Sequence, residues 1–110
     1  MSWYSKNRET LGKTYVGAID DGRVKLFLVN GGYIRDNLTV DFVWGGHGYA
    51  YDFIPNNEIW VERHDTDEHD LIGILAHEIF EFMQMRDKGL KYEKAHALAS
   101  KFEAKIRHLV

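Results

Sequence analysis

The chain has 110 residues, 45% of them hydrophobic and 14% aromatic, which is enough to close one core, so a single domain over residues 1–110 is expected. It has no cysteine, which excludes disulfides and thiolate metal sites, and its formal net charge of −3 with scattered Lys and Arg lacks the basic stripe of a nucleic-acid binder. The N-terminus carries no apolar signal core and no run of about 18 apolar residues is present, so no membrane role and a cytoplasmic location are expected.

Between residues 14 and 62 the local signals predict strands. Tyr15 to Ile19 is followed by the turn residues Asp20-Asp21-Gly22 and by the alternating run Arg23 to Val29, which together read as a hairpin. Asn30-Gly31-Gly32 supplies positive-φ residues for a second turn, with Tyr33-Ile34-Arg35 and Leu38 to Trp44 as further strand. Gly45-Gly46-His47-Gly48 breaks the pattern as a flexible loop. Tyr49 to Phe53 alternates again, Pro55-Asn56-Asn57 turns the chain, and Glu58 to Glu62 has period-two alternation with Ile59 and Val61 apolar. Trp44, Trp60 and the tyrosines read as core and core-edge aromatics.

A first helix is expected over about 66–88, with Asp65 or Thr66 as N-cap, Glu68 completing a capping box and Gly89 as a left-handed C′ residue. A second spans about 92–109, where Ala95, Leu98, Ala99, Phe102, Ile106 and Leu109 form one apolar stripe. The link Lys88-Gly89-Leu90-Lys91 is short enough to force an antiparallel hairpin, and Ala95 and Ala99 permit close approach. The expected fold is α+β, a small antiparallel sheet in the N-terminal half covered by a C-terminal antiparallel helical hairpin.

Six histidines among 110 residues direct attention to the helices. His64 and His69 read as exposed residues at the start of the first helix. That helix is apolar around most of its circumference, and its narrow polar stripe holds Asp70, His77, Glu81 and Gln84. His77 and Glu81 stand one turn apart on one face, so both can grip one ion, and His77-Glu78-Ile79-Phe80-Glu81 is a variant of the H-E-x-x-H helix with a carboxylate as second ligand. Glu78 projects among Leu71, Leu75, Phe82 and Met85, an expensive place for a carboxylate unless it serves as base beside a metal-activated water. His96, returned by the hairpin, is the expected third ligand, and Glu103, seven residues on, either orients His96 or binds the ion itself. Three protein ligands with an open position describe a catalytic type of site, most simply for zinc. The bland reading of the same residues is a solvated polar stripe, with Glu78 paired to Lys94 or Lys101 and His47 exposed in its glycine loop as no more than an additional candidate.

The segments Asn57 to Glu62, Ala76 to Glu81 and Gly89 to His96 resemble a group of small, uncharacterised phage and bacterial zincin-like proteins over roughly residues 40–105. The resemblance implies metal ligands at His77, Glu81 and His96, a general base at Glu78, and a substrate-holding edge strand along Glu58, Trp60 and Glu62, with Glu81 standing where the pattern usually has a second histidine. Two functions follow as expectations. One is a minimal metal-dependent hydrolase of peptide or amide bonds. The other is a non-catalytic module, metal-stabilised or metal-free, that binds a protein partner through the surface around the sheet and the His47 loop.

Overall fold

Strand and turn chemistry dictate the first hairpin of the computed structural model, which describes residues 10–63 and 68–109. Strand β1 (Thr14–Ile19) pairs antiparallel with β2 (Val24–Val29), and Asp20, Asp21 and Gly22 take φ of 54, 54 and 84° in the turn, as those residue types permit.

The expected second turn is instead a helix start. The Asn30 side chain accepts hydrogen bonds from the N–H groups of Gly32 (3.0 Å) and Tyr33 (3.3 Å), which nucleates α1 (Gly31–Asn37) where strand was expected for Tyr33-Ile34-Arg35. Asn-Gly-Gly serves a hairpin or an N-cap equally well, and burial of Ile34 beside Val29 and Phe42 selects the cap. Leu38 to Trp44 is likewise loop and turn. Trp44, expected in the core, is 51% exposed and holds φ 69°, a strained value for a bulky residue. Tyr49 to Phe53 is a turn tied to the His47 carbonyl by the N–H groups of Ala50 and Tyr51. Its alternation comes from aromatic packing, with Tyr51 against Phe42 and Phe53 against Trp60.

Two further strands complete the sheet, β3 (Gly45–His47) and β4 (Glu58–Glu62), in the order β1-β2-β4-β3. The expected all-antiparallel sheet is therefore mixed, because β4 runs parallel to β2 and antiparallel to β3. This also corrects the edge-strand assignment: β4 is paired on both sides, so Glu58, Trp60 and Glu62 have no free backbone edge to offer a substrate. Glu58 accepts from Trp60 Nε1 and pairs with Lys13, Glu62 takes both guanidinium nitrogens of Arg35, and Trp60 is buried. The edges of the sheet are β1 and β3, and β3 is the edge that lies against the first helix of the hairpin described next.

Side chains alternate across the sheet into two cores. Val24, Ile59 and Val61 face Ile74 and Phe82 of the helical hairpin, whereas Val29 and Trp60 face Ile34, Phe42 and Ile54 on the opposite side. The hairpin is α2 (Glu68–Lys88) and α3 (Tyr92–Leu109), as its periodicity predicts. Gly89 reverses the chain at φ 66°, where the Leu90 N–H bonds the Gln84 carbonyl. The expected caps Asp65 and Thr66, and His64, lie outside the described residues. Among the described residues no helix is long and apolar enough to cross a membrane.

Candidate metal centre

The hairpin packs tightly because Ala95 and Ala99 of α3 are fully buried against α2, and Phe80 stacks on Phe102 with centroids 4.6 Å apart. Close packing carries His96 to the face of α2 that bears His77 and Glu81. His96 Nδ1 lies 2.8 Å from Glu81 Oε2 and 3.2 Å from His77 Nε2, and His77 Nε2 lies 3.1 Å from the same oxygen. The middle of the polar stripe is thus buried, with His77 8% exposed and Glu81 2%, whereas Asp70 and Gln84 at its ends are partly exposed.

The three atoms form a triangle with edges of 2.8 to 3.2 Å. A tetrahedral ion with bonds of about 2.0–2.1 Å separates its ligand atoms by about 3.3 Å, so this donor set fits a divalent cation after a few tenths of an ångström of expansion. A second observation agrees. His77 Nδ1 is buried with no hydrogen bond, yet Glu103 Oε1 stands 3.0 Å away, placed to accept from that nitrogen once Nε2 is engaged elsewhere. Glu103, expected either to orient His96 or to bind the ion itself, faces His77 through Oε1 while its other oxygen takes the Arg107 Nε–H at 2.7 Å.

Electrostatics divide the carboxylates. Burial alone would raise the Glu81 carboxyl, but hydrogen bonds to His47, His77 and His96 outweigh it and hold its pKa down at about 2. Burial lowers the pKa of His77, but its bond to Glu81 and the charges of Glu78, Glu81 and Glu103 leave it raised. Glu78 is the opposite case. It is 6% exposed, makes no hydrogen bond or ion pair among the described residues, and is pushed up to about 8 by burial first and by the Glu81 charge second. Neither Lys94 nor Lys101 pairs with it.

Glu78 reaches the site because β3 has no side chain in its path. A Cβ on Gly45 would sit 2.9 Å from Glu78 Cγ and 3.0 Å from the Trp60 carbonyl oxygen. Gly45→Ala is therefore expected to lower stability by about 1–2 kcal/mol, read from the urea midpoint, and the loss should shrink in a Glu78→Ala background that frees one of the two obstructions.

The cluster lines a cleft of about 650 Å³ bounded by Gly45 and Gly46 of the edge strand and by Trp44, Tyr51 and Tyr92. His47 is not in solvent as a loop residue would be. It is fully buried on β3, and its Nε2 lies 2.9 Å from Glu81 Oε1. His69 is exposed, as expected, with Nε2 near the Arg107 carbonyl oxygen. Sequence reasoning missed Tyr92, whose ring stacks on His96 at 5.3 Å and whose hydroxyl lies 3.4 Å from His96 Nδ1. The signal was present as an i, i+4 pair on α3. Burial and the nearby Glu81 charge raise the Tyr92 phenol to about 12, so it stays protonated as a donor.

Against family models, curated proteins and solved structures, no match to this chain is found.

Proposed function

We propose that this chain is a divalent-metal-binding module in which one ion, held by His77, Glu81 and His96, ties α2 to α3 at the floor of a cleft that accepts a peptide or protein segment. The observation that carries this reading is the convergence of three donor atoms from two helices to within 3.2 Å of one another. Two imidazoles and a carboxylate suit zinc best among common ions, although manganese, iron and nickel accept the same donors. Trp44 and Val43, both about half exposed at the cleft, supply apolar contact for a partner lying beside the free edge of β3.

The test is metal content and zinc titration of the purified protein beside His77→Ala and His96→Ala. The wild type is expected to hold about one ion per chain, and each variant to lose more affinity than the roughly 10–100-fold that removal of a supporting hydrogen bond costs. Zinc should also raise the melting temperature of the wild type alone, since a ligand that binds only the folded state stabilises by mass action. Equal metal content in all three proteins would remove the site.

Glu78 favours a second reading, a zincin-like hydrolase of peptide or amide bonds. When bound, a divalent ion supplies Lewis acidity and brings the pKa of an attached water towards about 7. Glu78 contributes a carboxyl whose pKa of about 8 lies near neutrality, so it is able to take a proton from water in the cleft and return it to a leaving amine. Tyr92 contributes a phenol donor beside His96 Nδ1 at the same cleft, where it is able to hydrogen-bond a carbonyl oxygen.

A further inference from the structure

We infer that His47 is a positioning residue that donates a hydrogen bond to Glu81 and binds no metal, so that the two His/Glu clusters that share Glu81 form a single-ion site. The inference rests on the metal reading above and sharpens it, because the geometry by itself offers a rival. His47, Glu78 and Glu81 present ligand atoms within 4.8 Å of one another, as His77, Glu81 and His96 do, and Glu81 belongs to both sets. Its two oxygens are divided between them, Oε1 toward His47 and Oε2 toward His77 and His96. A carboxylate shared in that way is how two ions about 3.5–4 Å apart are commonly bridged.

The far nitrogen of each ring decides between the two. A neutral imidazole carries one proton, so whatever faces one nitrogen fixes what the other can do. His47 Nδ1 accepts the backbone N–H of Tyr49 at 3.2 Å. The proton must then sit on Nε2, which points at Glu81 Oε1 from 2.9 Å and donates to it. An ion on Nε2 would move that proton to Nδ1 and set it against the Tyr49 N–H, hydrogen to hydrogen, in a site with no room to rotate. His47 is fully buried, its ring stands edge-on to Phe82 with centroids 5.6 Å apart, and its carbonyl is tied by two backbone N–H groups.

His77 has the reverse surroundings. Its Nδ1 faces a carboxylate oxygen of Glu103 at 3.0 Å, an acceptor that favours the proton there and leaves the Nε2 lone pair for a cation. His96 turns Nδ1 inward, and its side chain is 48% exposed, so water can accept from the other nitrogen. Two histidines are thus set to ligate and the third to donate. By occupying Oε1, the His47 N–H holds the Glu81 carboxylate so that Oε2 is presented to the ion.

The experiment is zinc titration calorimetry of the wild type, His47→Ala and His47→Gln, with heteronuclear NMR of the histidine tautomers in the wild type. The wild type is expected to bind a single zinc, with His47 protonated at Nε2 before and after loading and His77 protonated at Nδ1 once loaded. His47→Ala should weaken zinc by about 10–100-fold. His47→Gln should recover most of that loss, because its amide N–H reaches the place of the lost donor and offers no imidazole nitrogen. Two zinc ions in the wild type, one of them lost in both variants, would overturn the inference, as would unchanged affinity in His47→Ala or an Nδ1-protonated His47. These outcomes leave the metal site of the preceding section standing. Absence of zinc uptake by the wild type would instead remove both. If His47→Ala fails to fold, the wild-type stoichiometry and tautomers decide the question.

Discussion

Glu81→Ala is expected to abolish stoichiometric zinc binding and to destabilise the metal-free fold by on the order of 3 kcal/mol at neutral pH. Glu81 sits at the centre of the cluster, accepting from His47 on one oxygen and meeting His77 and His96 on the other. Removing it takes the only carboxylate of the proposed ligand triad and strands the buried Nε2–H of His47, which donates to Glu81 Oε1 at 2.9 Å. Its pH dependence has a definite sign. The folded pKa of about 2 lies below the ordinary carboxylate value of 4.5, so the stabilisation is complete above 4.5 and is lost as pH falls toward 2. Urea unfolding with chelator present should therefore show wild type and variant converging in acid and separating toward neutrality. A constant gap across that range, or full zinc affinity in the variant, would show that Glu81 is not the hub.

The parts of this molecule that were legible in the sequence are those fixed by local chemistry. The helical hairpin could be read because periodicity, the Gly89 reversal and the small residues Ala95 and Ala99 all act within a few turns. The convergence of His77, Glu81 and His96 follows from that hairpin, since an i, i+4 pair and one residue past a tight turn leave little freedom of placement. The sheet order was not legible. The parallel pairing of β2 with β4 joins residues more than thirty positions apart and depends on α1, whose Asn30 cap looks like a hairpin turn until Ile34 is seen to be buried. With the order hidden, nothing local shows that Glu58–Glu62 is an internal strand or that Gly45–His47, which looks like a glycine loop, is one of the two edges and buries His47. The histidine that Glu103 meets was hidden for another reason. Spacing places Glu103 and His96 on one side of α3, but the rotation of α3 against α2 decides which histidine Glu103 meets, and no pattern within one helix carries that rotation.

Glu78→Gln separates the two functions, and its expected effects are of opposite sign on stability and on catalysis. The folded pKa of about 8 exceeds the ordinary 4.5, so the folded protein holds this proton more tightly than the unfolded chain does. The resulting destabilisation is absent below 4.5, grows as pH rises through the window and is complete above about 8, where it amounts to on the order of 5 kcal/mol. The metal-free Gln variant, of the same size and uncharged, is expected to be more stable than wild type by that order at pH 8 and equal to it near pH 4, in urea melts with chelator. Zinc should narrow the gap, because a cation beside Glu78 favours the ionised carboxylate that burial opposes. By linkage the Gln variant should bind zinc more weakly by the same free energy, a smaller loss than removal of a proposed ligand causes. If the hydrolase reading holds, cleavage of a peptide library falls by about 10²–10⁴ in the same variant. If wild type cleaves nothing under loaded conditions, the hydrolase reading falls. A stability gap that fails to grow with pH would mean that Glu78 is not the buried, unpartnered acid described here. On the proposed reading, a carboxylate that weakens the fold near neutrality beside the donor cluster and an open cleft is kept for its effect on a ligand, and Gln tests both halves of that explanation in one protein.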